Sequence, residues 1–238
     1  MLIRMNRSIV ALAVASLALT GCGGSTSSAQ SAPLSSSTSA APTRATAQAS
    51  GSSIDGMVST AKAIYYGETK GSKVLKQLGR IASDSVILNA LSKGDLAGAH
   101  AEAEAQMAAP INHTAHVTRI SVIRGSRVLF NAIVNSDGAF VVAPRIRVLR
   151  LRGRLLGTLL VSIQDVKGYV KLVHHFTGAE VVVRGGSGRV KTSLGAALHV
   201  PLPTSGYVTI AGHRYLVRSF PEIGWGNEPL TVWILAGA

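Results

Sequence analysis

The spacing of apolar residues changes at Pro110, and this change constrains the fold more than any other feature of the chain. Before Pro110 the apolar residues recur at helical spacing, and after it they alternate with polar residues at a period of two. The first pattern predicts helices and the second predicts strands. Turn signals such as Gly125-Ser126 separate successive strands and indicate hairpins. The order of elements therefore predicts an α+β fold with an antiparallel sheet rather than a doubly wound parallel one.

The helical part is predicted to consist of several helices. Residues 57–92 predict long helices that Gly67 or Gly71 interrupts, and residues 96–107 predict another that ends before the proline. Residues 166–177 predict one helix inserted between strands and ended by a glycine. The side chains placed to cap these helices are Ser83 or Asp84, Asp95 and Asp165.

Strands are predicted at 116–123, 127–134, 145–151, 155–163, 180–184, 207–210, 215–220 and 230–235. The strand at 155–163 is almost wholly apolar, which is typical of a strand in the middle of a sheet. Asp137-Gly138 and the glycine-rich segment 185–188 predict turns.

The N-terminus carries the features of an export signal. Arg4 and Arg7 precede the uncharged run 9–19, which is too short to span a bilayer stably. The run ends in Leu19-Thr20-Gly21-Cys22, which holds the only cysteine of the chain and resembles the lipobox of bacterial lipoproteins. This resemblance implies cleavage before Cys22, diacylation of its thiol, and anchoring at the extracytoplasmic face of the cell membrane. An ordinary secretory signal, or a single membrane anchor, is the alternative.

We expect the chain to divide into three parts: a signal peptide (1–21), the lipidated Cys22 with a tether to residue 53, and one domain (54–238). The segment 23–53 consists almost wholly of Ser, Ala, Thr, Gly and Gln. A segment with so few large apolar residues cannot bury enough surface to fold, which predicts a flexible tether. A lone cysteine cannot form an intramolecular disulfide, so the domain must fold on its apolar core alone.

The succession of patterns within the domain points to a family. Long N-terminal helices lead into the strand pair 117–134. Arg154-Leu155-Leu156-Gly157 then precedes the segment 158–163 and a helix, and the segment 177–184, which holds the strand 180–184, leads into a glycine-rich turn. This order resembles the Cache domain, the PAS-like extracytoplasmic sensor module of bacterial chemoreceptors and histidine kinases. The resemblance implies an antiparallel sheet with long N-terminal helices and one inserted helix, and a sensor that binds a small ligand.

Cache sensors usually continue into a transmembrane helix and a signalling module, whereas this chain ends after its last predicted strand. We therefore expect that any signal passes through a partner, such as a membrane receptor.

The chain is strongly basic, with 24 Lys and Arg against 11 Asp and Glu and a formal net charge of +13. Five arginines fall within one short span that contains no acidic residue: Arg145, Arg147, Arg150, Arg152 and Arg154. On a regular strand Arg145 and Arg147 share a face, whereas Arg150 has the opposite parity. Either the pairing register shifts near Val148-Leu149, or the two groups point to opposite faces.

These arginines have three interpretations. They are the solvated charges of an edge strand that resists aggregation, or a basic surface of Arg150, Arg152 and Arg154 that contacts anionic headgroups, wall polymers or an acidic partner. In the third, an arginine binds a ligand carboxylate. The position of Cache pockets favours Arg145 and Arg147 for that role.

Two further residues complete the candidate ligand-binding set: His116 at the start of the first predicted strand and Tyr169 on the inserted helix. Packing of the helix onto the sheet is the alternative for Tyr169. Trp225, between two glycines, is predicted either to pack at the rim of the domain or to form a contact point.

The sequence contains no nucleophile elbow, no H-E-x-x-H and no P-loop. We therefore predict no catalysis, no metal and no cofactor, with an exported enzyme as an alternative. Nucleic acid is not an expected partner, because export and the missing aromatic–basic interleaving count against it. The predicted function is a membrane-anchored lipoprotein that binds a small anionic ligand or a partner receptor. The other interpretation is an interaction lipoprotein that uses its basic surface to contact anionic envelope components and has no small-molecule ligand.

Overall fold

The computed structural model describes residues 45–108, 116–135, 137–195 and 201–238. Its helices are Ala45–Lys70 (α1), Ser72–Ala82 (α2), Ser85–Lys93 (α3), Leu96–Ala108 (α4) and Val166–Thr177 (α5). Its strands are Arg119–Arg124 (β1), Arg127–Ile133 (β2), Arg145–Leu151 (β3), Arg154–Ser162 (β4), Glu180–Gly185 (β5), Val190–Thr192 (β6), Ser205–Ile210 (β7), His213–Ile223 (β8) and Pro229–Gly237 (β9). The α+β class is confirmed. The predicted signal peptide, Cys22 and the tether as far as residue 44 lie outside the described residues.

Within the described residues, the strands form two antiparallel sheets, where the sequence suggested a single one. The first sheet has the order β2-β1-β4-β3, and the second has the order β6-β5-β9-β8-β7. Strand β4 lies inside the first sheet, as its apolar sequence predicts. Helix α5 is inserted between β4 and β5 and carries the chain from the first sheet to the second.

The helix boundaries follow local signals. The carboxylate of Asp84 accepts hydrogen bonds from the backbone N–H groups of Val86 and Ile87, at 2.9 and 3.0 Å, and so caps α3. The carboxylate of Asp165 caps α5 in the same way. Gly178 follows α5 with φ +66°, a left-handed conformation that glycine adopts without steric cost.

Three boundaries add to or correct the sequence prediction. The helical segment does break at Gly71, between α1 and α2. Helix α1, however, begins at Ala45, inside the segment predicted as tether, and alanine is the strongest helix former among the residues there. The short strand β6 was not predicted, because three residues carry too little alternation to be recognised.

Helices α2, α3 and α4 cover one face of the first sheet. The strand residues of this core alternate along their strands, so that they share the inner face. Fully buried members include Ile120, Val122, Leu159 and Val161 from the strands and Val74, Ile81 and Ile87 from the helices. The outer face of the same sheet exposes about half of several aliphatic side chains: Val128, Ile146, Val148 and Leu155.

The second sheet is packed on both faces. Helices α1 and α5 cover one face, with Ala61 and Val173 against Val181 and Ile234. The other face holds a second apolar cluster of Val182, Val217, Trp233 and Leu235, against which Leu194 and Leu202 pack. The indole N–H of Trp233 donates to the carbonyl of Pro203 at 3.1 Å. The connection between β6 and β7 therefore supplies the cover on this face.

The chain between β2 and β3 joins the two sheets. The N–H of Val166, at the start of α5, donates to the carbonyl of Phe140 at 2.8 Å, and that of Trp225, after β8, donates to Val141 at 3.2 Å. Phe140 and Val142 are buried in the core of the second sheet, although they precede a strand of the first. We name these contacts of residues 140–142 the seam between the sheets. They place the start of β3 beside the end of β8.

Candidate functional site

A pocket of about 590 Å³ lies where α1, the end of β8 and the chain entering β3 meet. Helix α1 contributes Lys62, Tyr66 and Lys70, which are spaced four residues apart and therefore lie on one helix face. The start of β3 contributes Arg145, and the end of β8 contributes Glu222. The pocket thus gathers side chains that are far apart in the sequence.

Tyr65 holds the three walls of the pocket together. Its hydroxyl donates a hydrogen bond to the carbonyl of Ile223 and accepts one from the N–H of Ala143, at 3.3 Å. Burial raises the pKa of Tyr65, so that its hydroxyl stays protonated and remains a donor. Its ring packs edge-to-face against Tyr169, with ring centres 5.3 Å apart. One buried side chain therefore ties α1 to both β8 and the entry of β3.

The described lining of the pocket is positively charged. Lys62, Lys70 and Arg145 face a single carboxyl group, Glu222. Burial raises the pKa of Glu222, while the charges of the two lysines act in the opposite direction. Among the described residues, neither Lys62 nor Arg145 has a carboxylate within ion-pair distance. The pocket therefore presents cationic groups that can bind an anion.

Arg145 and Arg147 share the inner face of β3, as their spacing predicts. They pair with Val161 and Leu159, which are both buried. Arg145 is half-buried and lines the pocket, whereas Arg147 is exposed and lies beside α2. Its guanidinium lies close to Gly79 of α2: Nη1 of Arg147 is 3.8 Å from the position that a Cβ atom on this glycine would take. Of the two arginines, only Arg145 lies at the pocket.

The other two candidate ligand-binding residues lie away from the lining. Tyr169 is 1% exposed, and its hydroxyl donates to the carbonyl of Ala61 at 3.1 Å. It packs α5 against α1 and supports Tyr65 from behind. His116 is exposed ahead of β1 and is not among the residues of this pocket.

Sequence reasoning missed most of the pocket. The four-residue spacing of Lys62, Tyr66 and Lys70 was a usable signal, since it places three long side chains on one helix face. Nothing in the sequence indicated Glu222 or Tyr65, because their neighbours in the pocket come from other parts of the chain.

Arg150, Arg152 and Arg154 lie apart from this pocket, at the β3–β4 turn, and all three are exposed. The register shift allowed by their parity is present between Leu149 and Arg150, where β4 has one additional residue. Arg150 pairs with the exposed Leu155, on the outer face of the sheet.

Trp225 packs at the seam between the sheets. The guanidinium of Arg119 lies 4.3 Å from the centre of its ring, in a cation–π contact. Nε of Arg119 also donates to the side chain of Asn131 at 2.9 Å. Burial, with the nearby charge of Arg189, lowers the pKa of Arg119. Of the two roles considered for Trp225, these contacts favour packing at the rim.

Among the helices that the structure describes, none combines the length and the apolar composition that a membrane span requires. The same residues include no group of three or more His, Cys, Asp or Glu side chains that could hold a metal ion.

Neither a protein-family model nor a curated protein matches the sequence.

Several solved structures are similar. The periplasmic domain of LuxQ from Vibrio cholerae is 12% identical with a TM-score of 0.46, over 80% of this chain and 99% of that one. The ligand-binding domain of the Pseudomonas fluorescens chemoreceptor CtaA, in complex with L-serine, is 10% identical with a TM-score of 0.42, over 80% and 98%. The ligand-binding domain of the Pseudomonas aeruginosa chemoreceptor PctC, in complex with GABA, is 14% identical with a TM-score of 0.37, over 80% and 100%. At these identities and scores the likeness carries no information about what this chain binds.

Proposed function

We propose that this chain is a membrane-anchored extracytoplasmic lipoprotein whose single Cache-like domain (54–238) binds a small organic anion without catalysis. The observation that carries the proposal is the convergence of Arg145, Lys62 and Lys70 on one cavity of about 590 Å³. A cavity of this volume is within the range that small-molecule sites occupy. Three cations around one carboxyl group favour an anionic ligand over a neutral or cationic one.

Each lining group has a role that its chemistry supports. The guanidinium of Arg145 can bind a carboxylate through two parallel hydrogen bonds, and the flexible lysines act as point charges. The ring of Tyr66 offers an apolar surface for the body of the ligand. Glu222 can accept a hydrogen bond from a donor group of the ligand.

Ligand binding is tested by thermal unfolding of the protein in a screen of carboxylates, amino acids and purines. A ligand that binds only the folded state raises the melting temperature as its concentration exceeds Kd. The substitution Arg145→Ala should weaken binding of the best compound by about tenfold or more, because a charge-assisted hydrogen bond is lost. Arg147→Ala is the matched control, since it removes the same side chain from the same strand face outside the pocket.

The proposal fails if no class of compound raises the melting temperature. It also fails if Arg147→Ala weakens binding as much as Arg145→Ala, because the pocket would then not be the site.

The anchoring part of the proposal is tested separately in cells. Replacement of Cys22 with Ser removes the thiol that the lipobox resemblance implies is diacylated. We expect the variant to leave the membrane fraction, since two acyl chains are the kind of double signal that stable anchoring needs. A variant that stays in the membrane pellet would show that another segment holds the protein there.

A further inference from the structure

Two hairpin turns of the first sheet lie side by side at one end of the sheet. Ile123, near the end of β1, pairs with Thr158 of β4, and Leu151, at the end of β3, pairs with Arg154 at the start of β4. The β1–β2 turn and the β3–β4 turn therefore share this end. It carries five exposed arginines, which we name the basic tip: Arg124, Arg127, Arg150, Arg152 and Arg154.

The basic tip has no acidic counterpart in the parts of the chain that the structure describes. None of its five guanidinium groups has a carboxylate within 4.0 Å among those residues. Arg124 donates to the carbonyl of Leu156, at 2.9 and 2.6 Å, and Arg150 donates to that of Gly153 at 3.2 Å. These bonds brace the two turns but neutralise no charge. The tip is therefore a concentrated positive patch on two adjacent hairpin turns.

An apolar surface adjoins the basic tip on the outer face of the sheet. Val128 of β2, Val148 of β3 and Leu155 of β4 are 56%, 52% and 50% exposed. Leu155 pairs with Arg150 of the tip, and Val128 pairs with Ile123 near the β1–β2 turn. Arg150 shares this outer face with the exposed aliphatic side chains, whereas Arg124, Arg127 and Arg154 have the parity of the helix-covered face and continue the positive charge around the same end of the sheet.

Protection of an edge strand against aggregation does not account for this arrangement. Only β2 and β3 are edges of the first sheet, and Arg124 belongs to the interior strand β1. Charges that protect an edge are needed along the strand, whereas these arginines gather at the turns of both hairpins.

We propose that the basic tip and the adjoining apolar surface dock on an anionic lipid bilayer. Attachment to a membrane interface combines buried apolar area with attraction to anionic lipids, and both components are present here. Arginine suits this position because its guanidinium binds phosphate through two hydrogen bonds while its stem lies along apolar groups. A soluble polyanion would use the charge alone and leave Val128, Val148 and Leu155 without a role.

The test measures binding of the full chain with Cys22→Ser to two kinds of lipid vesicle. One is phosphatidylcholine alone and the other also contains phosphatidylglycerol. The readout, which we call the additional binding, is the binding to the anionic vesicles minus the binding to the phosphatidylcholine vesicles. Any attachment through the N-terminal apolar run contributes to both values and is removed by the subtraction. The additional binding should be present at low salt and fall as salt is added.

Charge reversal at the tip tests the arginines. The double variant Arg150→Glu with Arg152→Glu should lose roughly 30-fold or more of the additional binding, because two attractions become repulsions. The control variant Lys76→Glu with Lys93→Glu makes the same change in net charge on exposed helix residues and should keep it. Equal losses in the two variants would show a general charge effect and overturn the assignment to the tip.

The apolar surface is tested by an equally matched pair. Val128→Ser should reduce binding to the anionic vesicles severalfold, because it removes aliphatic surface from the lipid contact. Val86→Ser makes the same substitution at a similarly exposed valine of α3, 54% exposed, and should leave binding unchanged.

The alternative occupant gives a different result. A polyanion site would bind heparin through Arg150 and Arg152 without dependence on Val128, and the chain would show no additional binding to anionic vesicles. That combination of results would overturn the lipid proposal.

Discussion

The two sheets are both built from antiparallel hairpins and are both covered by helices on one face, but their second faces differ. The second sheet covers that face with its own chain, through Leu194 and Leu202 and the contact of Trp233 with Pro203. The first sheet leaves aliphatic side chains exposed there. An antiparallel sheet can tolerate solvent on one face, so an uncovered face need not destabilise the fold. The second sheet therefore buries apolar side chains on both faces, and we expect substitutions on its second face to cost more stability than substitutions among the exposed aliphatic residues of the first sheet.

The largest expected effect comes from one substitution made on the second face of each sheet. Leu235 is fully buried in the second sheet, and Leu155 is half exposed in the first. Leu235→Ala should lower the free energy of unfolding by about 3 kcal/mol, because it removes buried methyl groups and leaves a cavity. Leu155→Ala should lower it by about 0.5 kcal/mol, as at an ordinary surface position. Urea unfolding measures both values, and similar losses would contradict the comparison.

The seam between the sheets should show the next largest effect. Tyr65→Phe removes the hydroxyl that bonds to Ile223 and Ala143, which leaves a carbonyl and an N–H without this partner. We expect a loss of about 1–2 kcal/mol in the free energy of unfolding. The control is Tyr66→Phe, at the neighbouring residue, which is 61% exposed and should change little. A stability change at Tyr66 as large as that at Tyr65 would argue against a structural role for the Tyr65 hydroxyl.

The covered faces of the two sheets, in contrast, should respond alike to loss of a helix cap. Asp84 caps α3 over the first sheet, and Asp165 caps α5 over the second. Asp84→Ala and Asp165→Ala should each cost about 1 kcal/mol of stability, since the first leaves two backbone N–H groups at a helix start without this acceptor and the second leaves one. Chemical denaturation of the two variants measures the costs. A loss several times larger in one of them would show that the helix layers are not equivalent.

We expect smaller effects in the pH dependence of stability, at Glu222 of β8 and at Glu228, which directly precedes β9. Burial raises the pKa of Glu222 above its ordinary value of 4.5, so the folded state holds this proton more tightly than the unfolded state. Its contribution to stability is present below pH 4.5 and is lost as the pH rises through the folded pKa. Glu222→Gln should therefore flatten the decline of stability above pH 4.5.

Glu228 should behave in the opposite way. Burial acts to raise its pKa, but hydrogen bonds from Ser187 and the charge of Arg189 outweigh burial and lower it. Its stabilising contribution is present above pH 4.5 and is lost as the pH falls through the folded pKa. Glu228→Gln should therefore remove stability at neutral pH. Unfolding curves across this pH range that change in the same direction for both variants would contradict these assignments.

Much of the local structure was predictable from the sequence. Strand β3 spans the predicted residues 145–151, and α5 lies between the predicted cap Asp165 and Gly178. The parity of the arginines led to two possible outcomes for β3, and the structure shows both: a register shift lies next to the predicted position, and Arg150 lies on the face opposite to Arg145 and Arg147. These features succeed because caps, turns and alternation depend on residues within a few positions of one another.

The pocket was predictable only in part. Arg145 was selected because the Cache resemblance favoured this part of β3, whereas the other three candidates, Arg147, Tyr169 and His116, lie outside the lining. Glu222 was missed, because a charged residue near the end of a strand has no local mark that shows what it faces. Its neighbours Lys62 and Lys70 are far from it in the sequence, and only the seam between the sheets brings them together.

Local patterns in the residues were enough to predict the α+β order, the caps, the boundaries of every strand except β6 to within a few residues, and the concentration of arginines between Asp137 and Asp165. The division of the strands into two sheets, the meeting of Arg145 with the face of α1, and the exposure of the turn end of the outer face of the first sheet depend on tertiary packing. The physical reason is the range of the interactions. Local signals depend on backbone geometry within a few residues, whereas the pairing of distant strands and the covering of faces depend on which apolar surfaces the whole chain can bury together.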